Sequence, residues 1–270
     1  MTSYPILTLL SDFGWNDVYV GVMKGVIAQI NPQITIVDLT HEIPPQNITA
    51  AQFNLLNAYS YFPEGTVHVA VVDPGVGGMR RAIALQLATG ILIGPDNGIF
   101  TGFLQQPILH VVELNSPQYW RVPNPSNTFH GRDIFAPVAA HIASGVPFTQ
   151  IGNPIDPATL LQQPIPPCTA TPTGFTGTIQ HIDRFGNSIT TIPGEFVQGK
   201  AWSVQISKRS IPGQSIPGHK TYSDVPPGTP LALIGSHGWI EIAINSGDAG
   251  HQLRLDWNDR IEVRVEENRK

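Results

Sequence analysis

The chain has 270 residues, one cysteine (Cys168) and a net charge of −5, from 15 Lys and Arg against 20 Asp and Glu. That length buries a substantial core, as one large domain or two modest ones, and the charge balance, with no basic run before the short tail ending in Arg269-Lys270, argues against a nucleic acid or an anionic membrane as partner. No apolar stretch approaches a membrane span, the N-terminus shows no basic-plus-apolar signal region and a lone cysteine excludes an intrachain disulfide framework, so a soluble, cytoplasmic protein is expected.

The first strand is expected over residues 6–10. Residues 17–30 then place Tyr19, Val22, Met23, Val26, Ile27 and Ile30 at helical spacing, with Asn16 or Asp17 able to cap the helix and Asn31-Pro32 stopping it. A strand over 34–39, a helix over 48–61, strands over 67–72, 82–88, 91–93 and 108–113, and a helix over 132–144 follow. This alternation predicts an α/β domain over 1–160, with a mainly parallel sheet and flanking helices. Residues 154–172 hold six prolines and suit an extended linker, placed at 161–172. Cys168 sits in it, away from the motifs. Beyond, over 173–270, short apolar runs at 175–182, 188–192, 231–234, 240–244 and 261–265 alternate with Pro/Gly turns. They predict a smaller all-β, barrel-like domain with no amphipathic helix. The 26 glycines and 25 prolines agree with a loop-rich chain that conceals surface in an oligomer.

Chemistry-bearing residues gather at strand ends. Asp73 follows the apolar run VHVAVV and precedes Pro74-Gly75, with Arg80 seven residues on. A strand end is where open α/β sheets bind ligands, and a nearby cation holds an acid ionised. Ser11-Asp12-Phe13-Gly14, Gly94-Pro95-Asp96-Asn97-Gly98 and Phe129-His130-Gly131-Arg132-Asp133 have the same character, and together they suggest the rim of one site. Taken singly, each has a plainer role: DPG as a turn, His130 as a surface histidine near a helix start, Arg132 and Asp133 as a pair. The Gly-rich loop lacks a P-loop's Lys-Ser/Thr and the dinucleotide spacing. An acidic rim disfavours a polyanion, and no converging ligand pattern argues for a metal. Carboxylates at strand ends suit ribose hydroxyls and a cationic ligand. In the second domain Asp183-Arg184-Phe185-Gly186-Asn187 and Gly235-Ser236-His237-Gly238 repeat the pattern, with turn chemistry as the plainer reading. His41, His68, His110, His141, His181 and His251 show no mutual pattern and are read as structural.

In chain order, SDFG, DLTHEIPP, VVDPGVG, GPDNG, FHGRDIFAP, ID-x-FGN and GS-x-G resemble the S-adenosyl-L-methionine (SAM) hydroxide adenosyltransferases, adenosine-forming SAM hydrolases related to the fluorinases and chlorinases. The resemblance spans roughly residues 5 to 250. It implies an N-terminal α/β domain, a C-terminal β-barrel and a homotrimer with active sites between subunits. It further implies attack of water or hydroxide on ribose C5′, expelling methionine, with SAM as substrate and no cofactor or metal. The family's water-positioning set falls on Asp73, Arg80 and His130, and either Asp73 or His130 is open as the proton acceptor. Asp12 matches the acid on the ribose hydroxyls, Asp183 the acid facing the methionine amino group, Asn187 the reader of the adenine edge and Ser236 a methionine-carboxylate contact. His237 departs from the aromatic or arginine expected there. Protonated, it would neutralise the carboxylate, and binding would weaken as pH rises through its pKa. The competing readings are a SAM-dependent halogenase, which the presence of Arg80 and His130 disfavours, a SAM or adenosine sensor without turnover, and a metal-dependent phosphohydrolase.

Overall fold

The apolar runs near the N-terminus become the centre of a seven-stranded sheet. The computed structural model describes residues 5–208 and 211–266; the short tail singled out for its basic residues lies outside them. The chain divides into two compact units, Met1–Pro164 and Ile165–Lys270.

In the first unit β1 (Ile6–Ser11), β2 (Thr35–Thr40), β3 (Thr66–Val71), β4 (Ala82–Leu87), β5 (Gly90–Pro95), β6 (Ile108–Glu113) and β7 (Asn153–Pro154) lie in the order β2-β1-β3-β5-β4-β6-β7. The half containing β2, β1, β3 and β5 is parallel, and β4, β6 and β7 extend it antiparallel. Helices α1 (Tyr19–Ile30) and α3 (Ala136–Ala143) cover one face, packing Met23, Ile27, Val138 and Ala139 on Leu7, Leu9, Val67 and Val69. Helix α2 (Ile48–Tyr59) covers the other, where the Tyr59 ring lies 4.9 Å from that of His68. Alternate β3 residues face opposite sides, which is why His68 and Val69 meet different helices.

Two local features differ from the sequence expectation. Neither Asn16 nor Asp17 caps α1: its N-cap is Val18, with no side-chain bond. Asn47 does cap α2, accepting from the Ala50 N–H at 3.0 Å. The helix expected over 132–144 opens as a π-helical turn, Gly131–Phe135, before α3. Pro137 has no N–H to return to the Asp133 carbonyl, which instead accepts from the Arg121 N–H at 2.9 Å.

In the second unit β8 (Thr169–Thr171), β9 (Gly174–Ile182), β10 (Ser188–Pro193), β11 (Trp202–Lys208), β12 (Ile211–Pro217), β13 (Pro230–Ile234), β14 (Trp239–Ile244) and β15 (Arg260–Val265) form an antiparallel sheet ordered β12-β11-β15-β9-β10-β14-β13, with β8 on β9. The chain after β12 reaches β13 through the His219 N–H to Ala232 C=O bond, so the sheet nearly closes into a barrel. Ile179, Ile192, Val204, Ile206, Ile242 and Ile261 fill it. Strands β11 and β12 were not expected from sequence. Trp202, Val204 and Ile206 do alternate with polar residues, but Pro212, Gly213 and Pro217 read as turns; β12 ends the strand order, where proline costs least. One helical turn, α4 (Ala249–Gln252), is present where none was expected.

Asp133 is fully buried. It accepts from Arg121 Nε at 2.6 Å, from Arg132 Nε and Nη2 at 2.7 Å, and from the Ser126 N–H at 2.9 Å. Burial works against its charge, yet these donors hold its pKa well below the usual carboxylate range. Its stabilising contribution is therefore complete above the unfolded-state pKa of about 3.9 and is lost as pH falls below it. Replacing Asp133 with Asn should cost on the order of 3 kcal/mol at pH 7, by removing the buried charge on which both arginines and the Ser126 N–H converge. The difference from wild type in urea-midpoint stability should shrink between about pH 4 and pH 2; a constant difference would contradict this account.

Candidate active site

The strand order places β1 between β2 and β3, and the crossovers through α1 and α2 run on opposite faces. The C-terminal ends of β1 and β3 therefore flank a topological switch point, where open α/β sheets form a crevice. Asp12 is the first residue beyond β1, and Asp73 is two beyond β3. Both line a cavity of about 410 Å³ with Gln46, Tyr19, Phe129 and His130. Phe13, Tyr19 and Phe129 make an aromatic wall, with ring centroids 5.3–5.8 Å apart.

Arg80 joins this group from the far end of the Gly-rich loop. Its Nε lies 2.9 and 3.1 Å from the two Asp73 carboxylate oxygens, and its Nη2 also donates to Asp73. The same Nη2 lies 2.7 Å from His130 Nδ1. The side chains of Asp73 and Arg80 are 5% and 8% exposed, so the pair is shielded from water. The loop can return the arginine onto the aspartate because it carries no side chains where it folds tightly. A Cβ on Gly75 would lie 3.3 Å from Arg80 Cγ, and one on Gly77 (φ +74°) would lie 2.1 Å from the Asn127 carbonyl oxygen.

This geometry settles the His130 tautomer. A guanidinium only donates, so Nδ1 accepts and the ring proton sits on Nε2. Burial and the Arg80 charge push the His130 pKa down, against a smaller opposite effect of Asp73. Asp12 is held differently. It accepts from the Gln46 N–H at 2.8 Å, and Gln46 presents that N–H from a left-handed backbone, φ +64°.

The rim expected from sequence divides into two kinds of residue. Asp12 and Asp73 line the cavity. Asp96 is buried against Arg81 (2.6–2.8 Å) and accepts the Leu161 N–H at 2.9 Å. Asp133 is buried among its own arginines. Those two are structural anchors, and Arg132 and Asp133 pair as their plainer reading has it. Phe13 and Phe129 stand inside the motifs read as the rim, whereas Tyr19 and Gln46 went unread, because nothing in periodicity separates them from core aromatics or loop polars.

In the second unit Asp183 accepts from the N–H groups of Phe185 and Asn187, both at 2.9 Å, and from Asn187 Nδ2 at 3.0 Å. Asn187 lines a cavity of about 470 Å³ with Phe185, Tyr222, Ile244 and Ser246. Ser236 is exposed on the β13–β14 turn. His237 beside it accepts from the Trp239 N–H at Nδ1 (3.1 Å) and places Nε2 3.0 Å from Glu241 Oε2. Glu241 is buried and also accepts from the Tyr222 hydroxyl. Burial first, then the Glu241 contact, raises the Tyr222 pKa. His237 therefore faces a buried carboxylate, and any carboxylate ligand competes with Glu241 for it. Neither Glu241 nor Tyr222 stood out in sequence, since each reads as ordinary strand or loop polarity.

Among the described residues no three His, Cys, Asp or Glu side chains converge as metal ligands do. No described helix is long and apolar enough to cross a membrane.

Residues 7–152 match the SAM hydroxide adenosyltransferase N-terminal domain, and residues 177–262 match the corresponding C-terminal domain. The (R)-S-adenosyl-L-methionine hydrolase of Thermus thermophilus is 40% identical over 91% of this chain and 94% of its own length. That of Salinispora arenicola is 36% identical over 97% and 99%. The fluorinase of Actinopolyspora mzabensis is more distant, 27% identical over 97% of each chain. A conserved protein of Thermotoga maritima, known by crystal structure, superimposes with a TM-score of 0.89 at 34% identity, over 96% of this chain and 99% of that one. The chain belongs to the SAM hydroxide adenosyltransferase family.

Proposed function

We propose that this protein hydrolyses S-adenosyl-L-methionine to adenosine and L-methionine, by attack of water on ribose C5′. The observation that carries the reading is Arg80 bound at once to Asp73 and His130 on the wall of one cavity. The hydrolase names of relatives at 36–40% identity support it. Those names specify R in addition to L for the amino acid, so R denotes the sulfonium centre, and both sulfonium epimers belong in the assay.

The roles follow from donors and acceptors. Asp73, paired with the guanidinium, accepts one hydrogen bond from the attacking water and takes its proton as the C5′–O bond forms. His130 is no acceptor in this tautomer: Nδ1 is occupied by Arg80, and Nε2 carries a proton that it donates to the water oxygen. The C5′–S bond breaks with its electron pair on sulfur, releasing a neutral thioether. No acid is needed for the leaving group, and no metal or cofactor is invoked. Alignment supplies most of the acceleration, and the base adds roughly 10²–10⁴. Asp12 binds the ribose hydroxyls. In the second unit Asp183, Asn187, Ser236 and His237 serve methionine and adenine recognition. The same reading includes a homotrimer, which light scattering on a sizing column would test.

Incubation with SAM in chloride-free buffer should release adenosine and methionine in large excess over enzyme, unaffected by chelator. Binding without turnover would replace the hydrolase with a sensor, and chelator loss would restore the metal reading. His130→Ala, which removes the donor to the water, and Arg80→Lys, which leaves Asp73 misoriented, should each lower kcat/KM by about 10²–10³.

Activity should also fall on the acid side. Protonating His130 removes the acceptor for Arg80 and sets two cations together, so the lowered pKa keeps the ring neutral through pH 7. The midpoint of the acid limb of kcat/KM should lie below about 6.5, the ordinary histidine value. A limb centred above that value would contradict the tautomer assignment.

A further inference from the structure

Behind Asp12 runs a polar chain, buried at Ser11 and His41 and partly exposed at Asp38 and Lys24, that the reaction does not touch. Ser11, the last residue of β1, lies with its Oγ 2.7 Å from His41 Nδ1, and both residues are 1% exposed. His41 Nε2 lies 2.9 Å from Asp38 Oδ1 on β2, and Lys24 Nζ on α1 donates to Asp38 Oδ2 at 2.5 Å.

We propose that Ser11, His41 and Asp38, anchored by Lys24, form a positioning relay that sets the Asp12 carboxylate in the cavity. The inference rests on the reading that Asp12 binds the ribose.

The directions of the bonds are forced from the outer end. Lys24 is a donor, so Asp38 accepts there and again from His41 Nε2–H. His41 Nδ1 then has only its lone pair to offer, and the Ser11 hydroxyl must donate to it. That leaves the Ser11 oxygen as acceptor for the Phe13 N–H, at 3.3 Å. The turn carrying Asp12 is thus held from both sides. Phe13 N–H is tied to the relay, and the Gly14 N–H reaches the His41 carbonyl at 2.8 Å. Five residues after His41, the Gln46 N–H reaches Asp12 itself. Serine, histidine and aspartate stand at the spacings of a nucleophilic triad, but Ser11 is sealed from solvent and shares its oxygen with the backbone, so the role is orientation.

The surroundings support a neutral ring. The Trp15 ring packs edge-on against His41, 4.8 Å between centroids, and the Lys24 ammonium sits 5.5 Å from that of Trp15. Burial pushes the His41 pKa down, with Lys24 acting the same way and Asp38 and Glu42 against it. For Asp38, burial opposes the charge, but the bonds from Lys24 and His41 hold its pKa below the ordinary value.

The test is a double-mutant cycle between Ser11→Ala and Asp12→Asn, read as kcat/KM for SAM in folded protein verified by thermal melting. In the wild-type background Ser11→Ala should raise KM about tenfold with kcat changed less. In the Asp12→Asn background it should have an effect under twofold, because positioning that carboxylate is the relay's part in binding. Equal effects in both backgrounds would overturn the relay and leave the hydrolase standing. An inactive wild-type protein would instead overturn the hydrolase reading. The relay is then still decided by ¹⁵N spectra of the imidazoles, assigned with His41→Gln: the neutral Nε2–H form of His41 at pH 7 supports it, and a charged or Nδ1–H ring rejects it.

Discussion

A single guanidinium organises the candidate site. Arg80 is planar, permanently charged and nearly sealed from water, and it directs its Nε and Nη2 hydrogens to acceptors inside the protein. It finds two oxygens on Asp73 and one nitrogen on His130. That choice leaves His130 neutral with its proton on Nε2, and in the proposed reaction Asp73 accepts from a water and His130 donates to it. The Gly-rich loop follows from the same demand. Its length and its bare positions at Gly75 and Gly77 serve to bring an arginine back onto an aspartate seven residues earlier, which is why it lacks every other mark of a phosphate cradle.

Neighbouring residues show how finely this is set. Arg80 and Arg81 are adjacent, yet one meets Asp73 and the other meets Asp96, because the chain is entering β4 and alternate side chains leave on opposite sides. Arg81 also donates to the Thr159 carbonyl and hydroxyl, at 2.6 and 2.9 Å, and Asp96 takes the Leu161 N–H. The second arginine–aspartate pair thus pins the end of the first unit, while in the first pair Asp73 lines the cavity. Asp12, with backbone donors in place of an arginine, keeps lone pairs for a ligand.

Legibility in the sequence tracked the kind of signal each feature left. Buried parallel strands such as β1 and β3 are continuous apolar runs and were readable to within a residue or two. Asp12 and Asp73 were readable because they stand just past strand ends near glycine, His130 because it heads a helical stretch beside Gly131, and the family resemblance separated Arg80 from Arg81. The α1 start was misread because a cap is a hydrogen bond, and Asn16 and Asp17 carry the right atoms without making it. Strand β12 was hidden because proline at a sheet end is spelled like proline in a turn. Asp96 and Asp133 look like Asp73 locally and differ only in which arginines reach them. His41 was passed over because its partners, at positions 11, 38 and 24, come together only when β1, β2 and α1 pack.

Charge bookkeeping explains why the proposed chemistry would want Asp73 paired at all. The substrate is a sulfonium, and its positive charge fades as the C5′–S bond breaks. A bare carboxylate beside that charge stabilises the ground state more than the transition state and so raises the barrier. Asp73 with Arg80 and a neutral His130 presents no net charge, yet it still offers one acceptor and one donor to a water. The water can be oriented without the substrate being held back by the group that orients it. In the proposed reaction Asp12 works at the hydroxyls of the ribose, which keep their charge state throughout, so its affinity would be uniform between ground and transition states. An acid is therefore tolerable unpaired at Asp12 and costly unpaired at Asp73, and the protein supplies an arginine to the second alone.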